Sequence, residues 1–140
     1  MGFHRVNTYR ADKMSSPSRA GAGMSANFLP LAYAAETDET ITTTELSGGL
    51  IHQGTTLTSD VTYTLPTAAL ILAENGFDSM DIGDAYSFVV NNSQAAAFDV
   101  VIGAGVGNTK VGTNNTLSVP PQCSRVFTLV KSGAATFDLY

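Results

Sequence analysis

The stretch Tyr86 to Ile102 (YSFVVNNSQAAAFDVVI) constrains this chain more than any other. Two runs rich in β-branched and aromatic residues flank the polar segment Asn91, Asn92, Ser93 and Gln94. Tyr86, Phe88 and Val90 occupy alternate positions in the first run, and Phe98, Val100 and Ile102 do so in the second. A period of two places such residues on one face of a strand. An Asn/Ser segment between two such runs predicts an antiparallel hairpin with one buried face. The same texture runs to the C-terminus and is missing before Glu36. The chain therefore divides into an extended N-terminal arm, residues 1–35, and a β domain, residues 36–140.

The arm cannot build a core of its own. Ser15 to Gly23 (SSPSRAGAG) is small, polar and broken by Pro17 and two glycines, which prevents both a helix and a packed interior. Dispersed along the arm are Phe3, Val6, Tyr9 and Met14, with Phe28 and Leu29 near its end. Charge separates the two parts as well. Residues 1–35 hold Arg5, Arg10, Lys13 and Arg19 against Asp12, a balance of +3. Residues 36–140 hold Lys110, Arg125 and Lys131 against eleven acids, a balance of −8. A basic, core-less arm on an acidic body predicts an arm that lies on another subunit. Its contacts would be Phe3, Arg5, Val6, Tyr9, Arg10, Lys13, Arg19, Phe28 and Leu29. Four cations spread over this length make too thin a footprint for nucleic acid, which is not expected as a partner.

Within the body, Ile41–Leu46 reads as a strand ended by Ser47, Gly48 and Gly49, and Leu50–Gln53 as a second. In Val61–Leu65 the apolar positions Val61, Tyr63 and Leu65 face in, and Thr62 and Thr64 face out. Pro66 opens the single helix candidate, Thr67–Asn75, which Asn75 and Gly76 stop. Gly103–Gly107 reads as a glycine hairpin, Lys110–Val111 and Thr116–Val119 as short strands, and Ser124–Lys131 with Ala135–Tyr140 as a closing hairpin. Eight or nine short strands with one short helix predict an all-β fold, a jelly-roll-like antiparallel sandwich. The apolar C-terminal strand, through Phe137, Leu139 and Tyr140, is the candidate oligomer contact.

The residues that could carry chemistry are scattered. His52 stands alone on its strand, and no second His or Cys lies at ligand spacing, so neither catalysis nor a metal is expected. Asp78, Asp81 and Asp84 fall at every third position but lack the offsets of a calcium loop. Gly103–Lys110 (GAGVGNTK) matches no phosphate-loop spacing, and a strand follows it where a phosphate site needs a helix. Cys123 has no partner in the chain and reads as a small buried hydrophobe. Asn27–Ala35 (NFLPLAYAA) ends in a small-x-small pattern, yet Pro30 interrupts a run too short for a secretion signal. No apolar stretch reaches the length of a membrane span. No cofactor and no enzymatic activity are expected.

In the order of its features, residues 41–140 resemble a type of small virion protein of tailed phages, the capsid decoration or cement proteins. The features are Tyr63–Ala69 (YTLPTAA), Ile82–Phe88 (IGDAYSF), Val89–Asn92 (VVNN), Gly103–Gly105 and the closing Thr136–Tyr140 (TFDLY). The resemblance implies a structural protein, made in the host cytoplasm and carried on the capsid exterior. It would bind the major capsid protein between capsomers and assemble with itself as a homotrimer. It implies no catalytic residues, and it leaves the arm uncovered. A module binding glycans or a host surface, as part of a fibre or head-tail structure, is the alternative; it would need an aromatic platform, for which Tyr33, Phe77 and Tyr86 are candidates.

Overall fold

Wherever large apolar residues alternate with Thr, Ser or Asn in this body, the backbone is extended and the alternation becomes a buried and an outward face. In the computed structural model, which describes residues 37–95, 97–112 and 117–140 and the backbone of Leu31–Tyr33, ten strands and two short helices form. The strands are β1 Leu31–Tyr33, β2 Glu39–Thr40, β3 Leu50–Gln53, β4 Val61–Thr64, β5 Ala85–Asn92, β6 Val100–Gly103, β7 Asn108–Lys110, β8 Ser118–Val119, β9 Cys123–Gly133 and β10 Thr136–Leu139. The helices are α1 Thr43–Ser47 and α2 Ala68–Ala73. The chain is thus mostly β, in two mixed sheets. One has the order β1-β3-β5-β9-β10-β7, the other β2-β4-β6-β8.

From β1 to β9 each successive strand joins the opposite sheet. Strands two apart in sequence therefore become neighbours and run parallel: β1 beside β3 beside β5, and β2 beside β4 beside β6. A parallel pair needs a crossover between its members, and here each crossover is itself a strand of the other sheet. The first six strands wind as a flattened spiral. Antiparallel pairs then close it: β8 on β6, β9 on β5, and β10 on β9. The outer strand β7 returns to parallel pairing with β10.

This winding corrects the expected antiparallel sandwich and, above all, the expected hairpin. β5 and β6 do form, with Tyr86, Phe88, Val90, Val100 and Ile102 all buried, but they lie in different sheets. The segment between them crosses the core edge and does not turn back. Asn92 explains why. Its side chain is buried, and its amide donates to the carbonyls of Phe98 (3.0 Å) and Val119 (3.1 Å), while its Oδ1 accepts from the amide of Gln94 (3.2 Å). One side chain at the end of β5 thus holds the far end of the crossover and a strand of the opposite sheet. A buried amide is satisfied where all its groups find partners, and this path supplies them.

The Gly103–Gly107 segment is likewise a passage from one sheet to the other, between β6 and β7. It runs tightly over the backbone at 65–68: an added Cβ on Gly105 would lie 2.6 Å from the Pro66 carbonyl oxygen. Bonds from Leu65 to the Gly103 carbonyl (2.9 Å) and from Ala68 to the Val106 carbonyl (2.9 Å) fix the approach. Glycine is required here by closeness.

The expected strand Ile41–Leu46 is instead the site of α1. Thr42 and Glu45 form a capping box: the Thr42 hydroxyl accepts from the Glu45 amide (3.2 Å), and the Glu45 carboxylate accepts from the Thr42 amide (2.6 Å). Two otherwise orphaned donors are satisfied, and this outweighs the strand preference of three successive threonines. Gly49, at φ +77°, then carries the chain into β3. Helix α2 begins where expected, behind Pro66, with Thr67 as its N-cap (3.3 Å to the Leu70 amide), and buries Ala68 and Ile71. The closing hairpin of β9 and β10 is as expected.

The inward residues of both sheets belong to a single hydrophobic cluster. Tyr63, Phe77, Phe88 and Phe137 are its largest fully buried members. Phe77 meets Tyr86 edge-on (centroids 4.7 Å apart), and Phe88 stacks with Phe127 at 5.7 Å. The Tyr86 hydroxyl donates to the Leu46 carbonyl (2.7 Å), tying β5 to the end of α1.

Candidate functional site

The surfaces of this molecule follow from which side of each strand the spiral turns outward. The partner-contact residues of the arm, Phe3, Arg5, Val6, Tyr9, Arg10, Lys13, Arg19, Phe28 and Leu29, lie outside the described residues. Leu31–Tyr33 forms β1 and pairs in parallel with Ile51–Gln53 of its own body. Among the described strands, β1 stands at the end of the six-stranded order.

Of the three oligomer candidates, Phe137 and Leu139 are fully buried among their own chain's core residues, since they point inward from β10. Tyr140 lies beyond the last strand and is 51 % exposed. Its backbone is held at both polar groups by Thr128 (2.9 and 3.1 Å), so the ring is presented from an ordered position.

The scattered polar candidates take up structural positions. His52 is half-buried on the outward side of β3, in one cross-strand row with Asn91 and Ser124; the Asn91 amide donates to the Ser124 hydroxyl at 2.7 Å. Asp84 accepts from the Asp81 amide (2.8 Å) and Asp78 from the Gly76 amide (3.3 Å), so these carboxylates close turns in their own loop. Lys131 crosses to the same loop and donates to the Met80 carbonyl. Among the described residues no group of three or more His, Cys, Asp or Glu converges as a metal site would require. No described helix is long and apolar enough to cross a membrane.

Cys123 corrects an expectation: it is exposed, at the start of β9. The turn from Pro120, closed by the Cys123 amide (3.3 Å) with Gln122 at φ +56°, brings it to the surface. Of the candidate aromatic platform, Phe77 and Tyr86 are both buried and spend their faces on each other. The side chain of Tyr33 lies outside the described residues. Burial lifts the Tyr86 hydroxyl far above the usual phenol range; burial, with a smaller contribution from Glu39, pushes that of Tyr63 up to about 12. Both phenols serve the core.

Sequence reasoning missed the outward face of the six-stranded sheet. Leu50 on β3, Val89 on β5 and Val126 on β9 lie side by side across it, and Val126 is 67 % exposed. The signal was present. In Phe88, Val89 and Val90, and in Val126, Phe127, Leu129 and Val130, apolar residues occupy both parities of the strand, which a sheet with one wet face does not need. Comparison of the chain with protein-family models, with curated proteins and with solved structures found no match.

Proposed function

We propose that this chain is a structural virion protein, a capsid decoration protein that attaches to the outer shell of a phage particle through its basic N-terminal residues. What carries the reading is the division of charge along the chain. A +3 segment without the makings of a core precedes a −8 body whose described residues close a core of their own. Such a body is suited to face solvent while the segment seeks an acidic surface on the shell, adding contact area by lying along it. The described polar side chains support this reading by serving turns, caps and crossovers. The body that would face solvent is mostly β, two mixed sheets around one core. Self-association on a symmetric shell would multiply modest contacts.

The test uses the full chain with Arg5, Arg10, Lys13 and Arg19 each replaced by Glu, sedimented with purified capsids that lack the protein. Attachment is expected to be lost while the thermal melt of the free protein stays unchanged. Attachment at the original level would overturn the reading.

A further inference from the structure

We propose that the outward face of the six-stranded sheet is the contact for a second copy of this chain, the two faces packing on one another about a two-fold axis. This deepens the self-association named above by giving it a surface and a symmetry. The face is built by strand alternation: Leu50, Val89, Val126 and Val130 project from β3, β5 and β9, and Val111 and Tyr140 border them on the β7 side. Val126, Tyr140 and Val111 are 67, 51 and 38 % exposed. Between them stand hydroxyls and amides, Ser87 and Thr128 bonded to each other at 2.9 Å.

Charge selects the occupant. The body carries eleven acids, so two copies repel wherever acidic surfaces meet. On the alternate outward positions of the described strands of this sheet, Asp138 is the only Asp, Glu, Lys or Arg. The outward positions of the four-stranded sheet, Thr40, Thr62, Thr64, Val101, Gly103 and Ser118, are free of charge as well but mostly hydroxyl-bearing. Only the six-stranded face therefore joins low charge to a row of apolar side chains. Two identical acidic bodies meet there with little repulsion, and matching the face with itself makes the contact isologous. Strand spacing and rise give the face about 500 Å², so two stacked copies bury about 1,000 Å², the threshold of a specific interface. This arrangement replaces the threefold one that the family resemblance implies.

The test is sedimentation equilibrium of the full chain over a concentration series, beside the single variants Val126→Lys, Tyr140→Glu and Ile82→Lys. Ile82 is as exposed as Val126, at 68 %, but lies in the turn before β5, outside the strands that build the face. The expected result is a mass of two chains for the natural sequence and for Ile82→Lys, and of one chain for Val126→Lys and Tyr140→Glu, all four with the same far-ultraviolet circular dichroism and the two one-chain variants melting lower. If Val126→Lys does not fold, Tyr140→Glu at the chain end decides. A mass of one chain for the natural sequence overturns the proposal and gives the face to residues 1–30 or to a different protein. A mass of three chains overturns the two-fold pairing, and a variant that keeps the dimer overturns the choice of face. Capsids take no part in this measurement, so its failure leaves the proposed attachment standing, and loss of attachment with an intact dimer does the reverse.

Discussion

Replacing Asn92 by Asp tests whether one amide holds the two sheets in register. The two side chains have nearly the same shape, so packing is conserved and only hydrogen bonding changes. Asn92 uses both of its N–H groups, on the Phe98 and Val119 carbonyls, inside a fully buried site. A carboxylate in its place turns two donors into one acceptor facing two acceptors. Each carbonyl left without a donor costs about 1–3 kcal/mol, and a buried charge adds to that. We expect a loss of about 3–5 kcal/mol at neutral pH, a large share of the roughly 5–15 kcal/mol that hold a domain together. The assay is urea unfolding, read as a fall in midpoint at constant slope. Asn91→Asp is the control, because Asn91 lies one residue earlier, on the outward side, bonded only to the Ser124 hydroxyl among the described contacts, and its change should cost at most about 1 kcal/mol. Burial raises the folded-state pKa of the introduced carboxyl above its unfolded value near 3.9. The deficit of the variant should therefore be smallest below about pH 4 and grow as pH rises toward that folded-state pKa. Equal losses at positions 91 and 92, or a deficit at 92 that ignores pH, would refute the assignment of Asn92 as the tie between the sheets.

Two further outcomes follow from the same packing. Gly105→Ala should lower the melting temperature strongly, by an amount matching about 3 kcal/mol or more, since backbone oxygens at Leu65 and Pro66 block the new methyl; Gly112→Ala, with nothing near its Cβ and only a φ of +123° to strain, should cost less. The contribution of Tyr63 and Tyr86 to stability should be constant up to about pH 10 and then be lost as pH rises through their folded-state values, because the unfolded chain ionises these phenols first. Ultraviolet titration should show these two tyrosines ionising together with loss of the near-ultraviolet circular dichroism. Ionisation that precedes unfolding would contradict their burial.

Much of this body is legible from residue order alone. The alternation in Val61–Leu65, in Tyr86–Val90 and in the closing strands fixes which side chains go inside, because a strand has only two faces and water selects between them. Pro66 and Thr67 mark the start of α2 by removing a donor and supplying a cap. Even α1 was written in the spacing of Thr42 and Glu45, although the run of threonines spoke louder for a strand. The apolar outward side of β5 and β9 was also visible, as hydrophobic residues at both parities.

Strand partnership was settled elsewhere. An alternating run is equally ready to pair with its neighbour in sequence or with the strand two places on, since the hydrogen bonds are the same kind either way. The choice between a hairpin and a crossover at 93–99 rests on where the amide of Asn92 finds two carbonyls, and one of those belongs to Val119, a residue brought near only once the opposite sheet exists. The same holds for Gly105, whose need to be glycine comes from the backbone of Leu65 and Pro66 pressing on it. Sequence determined the faces of these strands through local periodicity; tertiary structure decided their neighbours, because pairing depends on contacts between residues far apart in the chain.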